Sequence, residues 1–490
     1  MQNQTSSLEV NASSSGSSNS GGKKVLIFII VFLILLALAI GIYYWYQNYL
    51  SKDEAQIPEE SPALSLDAEK IATHLSKVAQ TENVYWQRMW EIWWEAIERE
   101  EGSINFAATD RYYKDVIQKE EIYMVATIKP FANWDQNECH DSTYEADYVG
   151  MDKTENSKIK VGKPCNMEKY QTFLAAVVER YDGDGKDDMP GLSIPVKYWE
   201  IMNEPSMQGG STGGVGEELK FFVGTSTDYL DILKASYETI KSADSEAKVL
   251  HAGMAGMQQS FRDFWDPVFS GGGGNYFDVA NIHSINTDEN REGMYVIKFK
   301  KYLESFGIKD KPIFVTEAQF GELAERPADI QEFDKLIARA TIFTIAQGAD
   351  VIFYIDNWLQ WDRFKAVKEQ NISGEEEKEE GPMSYSEEDL ATSTHKVYLN
   401  LVNMVNKYEA IETIEESYFE SSEDRDGAST QIAQYKFING NNIIYVLWGE
   451  ANLPAEISGQ VKVTDIYGAS EEKDASEIQL TDSPIFVEKL

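Results

Sequence analysis

The chain has 490 residues, long enough for two or three folding units, and its 42% hydrophobic and 12% aromatic content supplies a large core. Its 82 acidic residues outnumber 44 basic ones, for a formal charge of −38. Such a field repels nucleic acid and anionic lipid surfaces, which excludes both as partners of the main body.

Residues 1–24 form a Ser/Asn/Gly-rich tail ending in Lys23-Lys24. Val25–Ile42 follows without a charge or a proline. At 1.5 Å per residue it extends about 27 Å, close to a bilayer's hydrocarbon thickness. Tyr43-Tyr44-Trp45-Tyr46 then supplies an interfacial aromatic belt. The stretch 25–46 is therefore expected to be an uncleaved single-pass anchor. Aromatics stand where a signal peptide would carry its small-residue cleavage site, which disfavours that alternative. Lysines on the N-terminal side put the tail in the cytoplasm and the body outside the cell. Residues 47–66 form a polar linker.

From residue 67 to 415, helical patterns alternate with short apolar runs. EKYQTFLAAVVERY places Tyr170, Phe173, Leu174, Val177, Val178 and Tyr181 on one helical face. The runs IYMVATIKP, VKYWEIMNEP, KVLHAG, DVANIHSIN, PIFVTEA and DVIFYIDNW lack polar alternation, as strands buried on both faces do. Repeated strand–helix units leave a doubly wound sheet or a (β/α)8 barrel. No glycine-rich dinucleotide turn follows an early strand, which favours the barrel. Counting back from strand eight at 350–355 gives strands at 312–317, 278–285, 247–252, 196–202, 122–128 and 84–89. Strand one should precede a helix at 67–80, where no run resembles a strand. The acidic stretch 373–389 reads as a solvated insertion. Residues 416–490 change texture: two strands meet at Asn439-Gly440-Asn441, a hairpin signal, and further strands complete a small β-sandwich.

Cys139 and Cys165 are the only cysteines. In an exported protein they are expected to pair, closing a loop of low apolar content; free thiols are the alternative. Asp182, Asp184 and Asp188 have the 1, 3, 7 spacing of a calcium loop, but Lys186 and Ser193 stand at positions five and twelve. The stretch reads either as a structural calcium turn or as a plain polar turn on the barrel's bottom face. No other cofactor is required.

The fourth strand ends in Asn203-Glu204-Pro205, the sixth in His283, and the seventh in Glu317, while the eighth runs into Asp356-Asn357-Trp358. Arg88 lies in the second, and the third runs towards Trp134. In a (β/α)8 barrel such C-terminal strand ends converge on one mouth. Two carboxylates across a pocket rimmed by aromatics suit glycosidic bond cleavage, in which one protonates the leaving oxygen and the other attacks or activates water. Their separation decides between retention and inversion, and sequence does not supply it.

YWEIMNEP and IFVTEAQFG resemble the strand-four and strand-seven signatures of the retaining glycoside hydrolase clan with two glutamates on a (β/α)8 barrel. YWQRMWEIWWEAIEREEGSINF resembles the stretch in which that clan's strand two ends in an arginine. The resemblance is to β-xylosidase-like and related members with a C-terminal β-domain, over residues 82 to 490. The resemblance implies Glu204 as acid/base, Glu317 as nucleophile, Asn203 as ligand of the sugar 2-hydroxyl and Arg88 as the arginine that orients the nucleophile. It also implies His283 and Trp358 as substrate-site residues, and an oligo- or polysaccharide substrate. Where many members place a tyrosine soon after the strand-six histidine, this chain has Ser284-Ile285-Asn286. That departure keeps open a second expectation, a cell-surface carbohydrate-binding or adhesion protein on a degraded barrel.

Overall fold

The structure, a computed structural model, describes residues 71–73, 86–119, 121–147, 158–209, 219–286, 292–321, 327–355, 392–420 and 428–490. The tail, the expected membrane anchor 25–46, the linker, the acidic insertion and Trp358 lie outside the described residues. Among the described residues no helix is long and apolar enough to cross a membrane.

Strands β1 (Ile71–Thr73), β2 (Trp86–Trp93) and β3 (Tyr123–Lys129) begin the barrel. A small hairpin, β4 (Glu145–Asp147) with β5 (Lys158–Lys160), interrupts it. It resumes with β6 (Tyr198–Ile201), β7 (Lys248–His251), β8 (Ala280–Asn286), β9 (Ile313–Phe320) and β10 (Val351–Tyr354). All pairings in this eight-stranded sheet are parallel, in the order β7-β6-β3-β2-β1-β10-β9-β8. Parallel bridges Leu250↔Val279 and Met254↔Ile282 join its two ends and close the barrel.

The first strand corrects the expectation of a helix over 67–80. Ile71, Ala72 and Thr73 pair with Ile352, Phe353 and Tyr354 instead. A run this short carries no periodicity, so only its place between β10 and β2 identifies it.

Seven α-helices of six residues or more lie among the described residues. They are α1 (Ala107–Tyr112), α2 (Met167–Tyr181), α3 (Ser226–Ala243), α4 (Gln259–Ser270), α5 (Val296–Ser305), α6 (Ile330–Ala346) and α7 (Ser393–Val405). Their apolar faces cover the barrel. In α2 the buried residues are the six that the helical spacing singled out, Tyr170 to Tyr181. Its N-cap Asn166 accepts from Lys169 N, and Thr225 and Asp228 form a capping box on α3. Inside the barrel, Trp86, Val125, Leu250, Phe314 and Phe353 fill the lower layer, with Tyr123 and Tyr198 packed against them. The bottom is thus a packed core, which leaves the C-terminal mouth for chemistry.

The C-terminal strands β11 (Ala410–Glu420), β12 (Ala428–Asn439), β13 (Asn442–Trp448), β14 (Gln460–Thr464), β15 (Ser470–Asp474) and β16 (Ile485–Lys489) form a β domain. They hydrogen-bond into one six-stranded sheet in the order β11-β12-β13-β16-β14-β15, with antiparallel pairings. Among the described residues this is a single sheet, not the two facing sheets of the expected sandwich, and it starts at Ala410, before residue 416. The hairpin lies at Gly440-Asn441, between the paired Asn439 and Asn442; Gly440 has φ 56°, where glycine avoids a steric penalty.

Candidate active site

β-Bulges decide which side chains meet at the mouth. On β2 the register shifts between Arg88, opposite Val125, and Trp90, opposite Ala126. The extra residue brings Glu91, opposite Thr127, to the inward face that Arg88 already occupies. On β9 a shift between the partners of Ile282 and His283 sets Glu317 opposite His283. Thr316 and Glu317 thereby both reach that histidine. At the end of β6, Met202 (φ 71°) and Glu204 (φ 39°) adopt left-handed backbone that non-glycine residues rarely hold. Such strain persists where surrounding structure enforces it. Here it turns Glu204 into the mouth ahead of Pro205.

Arg88, 3% exposed, is the hub. Its Nε and Nη2 donate to the two oxygens of Glu200 at 2.6 and 3.0 Å. Its Nη1 donates to Glu317 Oε1 at 2.6 Å, and Nη2 also to Asn203 Oδ1 at 2.6 Å. Burial lowers the Arg88 pKa, but the charges and hydrogen bonds of Glu200 and Glu317 outweigh it, and the net shift is upward. The guanidinium is permanently charged. Glu200, fully buried, also accepts from Thr127 Oγ1, Gly253 N and Asn281 Nδ2.

His283 is fully buried between the two glutamates. Its Nδ1 is 2.6 Å from Glu204 Oε1 and 3.5 Å from Glu317 Oε2. Hydrogen-bond direction fixes its tautomer. Asn281 donates its amide to Glu200, so its Oδ1 must accept, and Thr316 Oγ1 donates to it at 2.6 Å. The threonine has then spent its proton and accepts from His283 Nε2 at 3.0 Å. Nε2 always carries a proton, and Nδ1, facing Glu204, is the atom that titrates. Burial lowers the His283 pKa; the charges of Glu317 and Glu204 outweigh this and raise it.

The facing atoms of Glu204, His283 and Glu317 all lie within 4.8 Å of one another. These are also metal-ligand donor types, but Arg88 already occupies Glu317 Oε1 and His283 meets Glu204 directly. Two carboxylates thus face one histidine, and one of them is also held by a guanidinium.

The structure thus gathers Arg88, Asn203, Glu204, His283 and Glu317. Trp134 joins the helix layer instead. Its Nε1 donates to Glu98 O, its ring meets Trp94 edge-on at 5.1 Å, and Lys169 Nζ lies 5.2 Å from its centroid. Asp182, Asp184 and Asp188 cluster beyond the C-terminus of α2, with oxygens within 4.8 Å. Asp182 accepts from Asp184 N, and Asp188 from Gly183 N and Gly185 N, so the turn satisfies itself. Burial pushes Asp182 up to about 6; the charges of Asp184 and Asp188 add to this, and the Asp184 amide opposes it. Cys139 and Cys165 form a disulfide with a Cα–Cα distance of 5.8 Å. No sequence motif singles out Glu200, Asn281 or Thr316. Their one signal was a polar side chain at an inward position of an otherwise apolar strand.

No family model matches the chain, and no curated protein matches it in sequence. Solved structures do. A family 39 glycoside hydrolase from the gut symbiont Bacteroides cellulosilyticus WH2 aligns with a TM-score of 0.52 at 14% identity, over 84% of this chain and 77% of its own. A glucosidase from Croceicoccus marinus aligns at 0.51 and 12% identity, over 86% and 96%. The fold is that of these glycoside hydrolases. At such identities the likeness establishes a (β/α)8 barrel with a C-terminal β domain. The glycoside hydrolase clan that YWEIMNEP and IFVTEAQFG resemble has the same architecture.

Proposed function

We propose that the protein is a retaining glycoside hydrolase that cleaves O-glycosidic bonds by double displacement. The observation that carries this reading is that one carboxylate oxygen of Glu204 and one of Glu317 lie within 4.8 Å of each other, on either side of His283 Nδ1. Retaining enzymes hold their carboxyls about 5–5.5 Å apart, whereas inverting ones need roughly 6.5–9.5 Å to admit a water.

In the first step Glu317 attacks the anomeric carbon as Glu204 gives its proton to the departing oxygen. A covalent glycosyl-enzyme and a free alcohol result. In the second, Glu204 takes a proton from water, whose oxygen displaces Glu317. Arg88 holds Glu317 Oε1, which keeps the nucleophile ionised and aimed. His283 sits at its Oε2 and faces Glu204 with the titrating Nδ1, so one proton is shared across the 2.6 Å contact. These two groups supply the positioning otherwise expected of a tyrosine after His283, which weighs against a degraded, merely sugar-binding barrel. Asn203, fixed by Arg88, faces the sugar 2-hydroxyl.

The hydrophobic stretch 25–46 supports a single-pass anchor with the barrel outside the cell, and the disulfide suits an oxidising compartment. Mechanism-based 2-deoxy-2-fluoro glycosyl fluorides, followed by peptide mass mapping, test the chemistry. Label is expected on Glu317, and both Glu204→Gln and Glu317→Gln should lower kcat/KM at least ~10³-fold on an unactivated glycoside. Turnover unchanged in both variants would refute the mechanism.

A further inference from the structure

A second charged pair shares the mouth. The β2 bulge turns Glu91 to the inward face, and Lys129, opposite Trp93, ends β3 on that same face two residues beyond Thr127. Thr127 is bonded to Glu200, so Lys129 lies one layer nearer the opening. Its Nζ is 2.8 Å from Glu91 Oε1, and 5.6 Å from the centroids of both the Trp93 and Phe221 rings. Glu91 Oε2 accepts from Trp93 Nε1 at 3.0 Å. The two partners differ in exposure: the lysine side chain is 5% exposed, the glutamate 40%. The ammonium is therefore the buried support, and the carboxylate is the group presented to a ligand.

Stability alone is a poor reason for this pair. Burying an ammonium costs more than well-packed apolar residues would, and breaking such a pair is worse than never having it. At the C-terminal end of a barrel, an oriented carboxylate framed by aromatic rings is instead a receptor for hydroxyl groups. The charges around it restrict what those hydroxyls can belong to. Arg88 is committed to Glu200, Glu317 and Asn203, and Lys129 to Glu91. Among the described residues, then, neither of these two cations is left for an anionic substituent, which would meet Glu91, Glu204 and Glu317.

We propose that Glu91 is a specificity-determining residue that accepts hydrogen bonds from hydroxyls of the bound sugar, that Lys129 positions it between Trp93 and Phe221, and that the substrate is a neutral glycoside rather than a uronide. This rests on the glycosidase reading above. Repulsion at about 5 Å in a partly buried mouth corresponds to roughly 100-fold discrimination against the anionic sugar.

The test uses 4-nitrophenyl xylosides, glucosides, galactosides and mannosides of both anomers, with the glucuronides and galacturonides as their charged counterparts. Full-length wild type, Glu91→Gln and Lys129→Met are compared, and fluorosugar labelling of Glu317 is run in parallel. The best neutral glycoside should exceed its uronide by roughly 100-fold in kcat/KM. Glu91→Gln should lower turnover of the neutral sugar by roughly 10- to 150-fold, as loss of a charged hydrogen bond does, and narrow the neutral-to-uronide ratio at least tenfold. Lys129→Met should alter the same ratio, which a purely structural lysine would leave unchanged. Loss of folded protein scales both substrates alike and leaves the ratio untouched, so the ratio separates positioning from stability. A uronide preference in wild type, or a ratio unchanged in Glu91→Gln, overturns the proposal while Glu317 labelling persists. Absence of both labelling and turnover overturns the glycosidase reading itself, and this proposal with it.

Discussion

Glu200 touches no substrate in the mechanism above, yet it fixes the plane of the guanidinium that aims Glu317. Glu200→Gln keeps the shape and removes the charge, leaving Arg88 with Glu317 as its one carboxylate partner. Breaking a buried ion pair in this way costs about 3–5 kcal/mol of stability. We expect a fall of that size in denaturant titrations, and a kcat/KM loss of about 10- to 100-fold as Glu317 is drawn out of line.

Two of the buried histidines, His251 and His283, shape the pH response in opposite directions. His251 donates Nδ1–H to Ala252 O, and its Nε2 accepts from Asn281 N. Burial holds it down to about 3, with the Ala252 carbonyl opposing and the charge of His283 assisting. Its contribution is complete above the unfolded value near 6.5 and is lost as pH falls towards 3, with a slope of at most ~1.4 kcal/mol per pH unit. His283, raised, contributes fully below 6.5 and less as pH climbs through its folded pKa. Stability should therefore peak near 6.5 on their account, and His251→Gln should flatten the acidic limb in urea titrations run across pH. An acidic limb as steep in the variant as in wild type would refute this. Of these residues only Arg88, Asn203, Glu204, His283 and Glu317 were legible in the sequence, because strand ends and recognisable runs mark them. Glu200 sat unnoticed inside YWEIMNEP: nothing in a single strand reveals that Thr127, Gly253 and Asn281 wait for it across the barrel.

The loop closed by Cys139 and Cys165 has a partner device. Asp135, fully buried, accepts from Cys165 N at 2.8 Å and from Asn166 N at 2.9 Å. Asn166 is itself the N-cap of α2, so disulfide, carboxylate and cap act on one junction. A crosslink spanning 26 residues contributes ~3.5 kcal/mol by chain entropy. Cys139→Ala/Cys165→Ala should lose somewhat less than that, since Asp135 still ties the junction. Limited proteolysis should then cut first between residues 139 and 165; cleavage elsewhere would show that Asp135 suffices. Most elements were readable because they are long or flanked by turn signals. β1 was not, being defined by its pairing to β10 and β2 alone, and α4 was not singled out at all.

The barrel and β domain belong to one compact unit, and a buried carboxylate joins them. Glu292, just before α5, accepts from Arg339 Nε on α6 at 2.8 Å and from Thr430 N on β12 at 2.8 Å. Thr430 Oγ1 donates to it as well, and Trp448 Nε1 donates to that hydroxyl at 3.0 Å. Around it, Phe343 packs on Tyr418 at 5.3 Å, and Asn400 Nδ2 donates to Asp465 O. Composition signalled a change of texture near residue 416 but not this contact, whose partners are far apart in sequence. Glu292→Ala leaves Arg339 with Glu332 Oε1 and Asp482 O alone and strips the Thr430 amide of its acceptor, at a cost of about 1–3 kcal/mol. The carboxylates at the mouth are not bonded to this cluster, so kcat/KM at low temperature should stay within about twofold of wild type. Calorimetry should give one cooperative transition for wild type, and for Glu292→Ala a lower midpoint with the β domain melting ahead of the barrel. A variant that still melts in one transition at the wild-type midpoint would mean that apolar packing of the Phe343–Tyr418 kind couples the two parts, and that Glu292 serves only to hold its own loop.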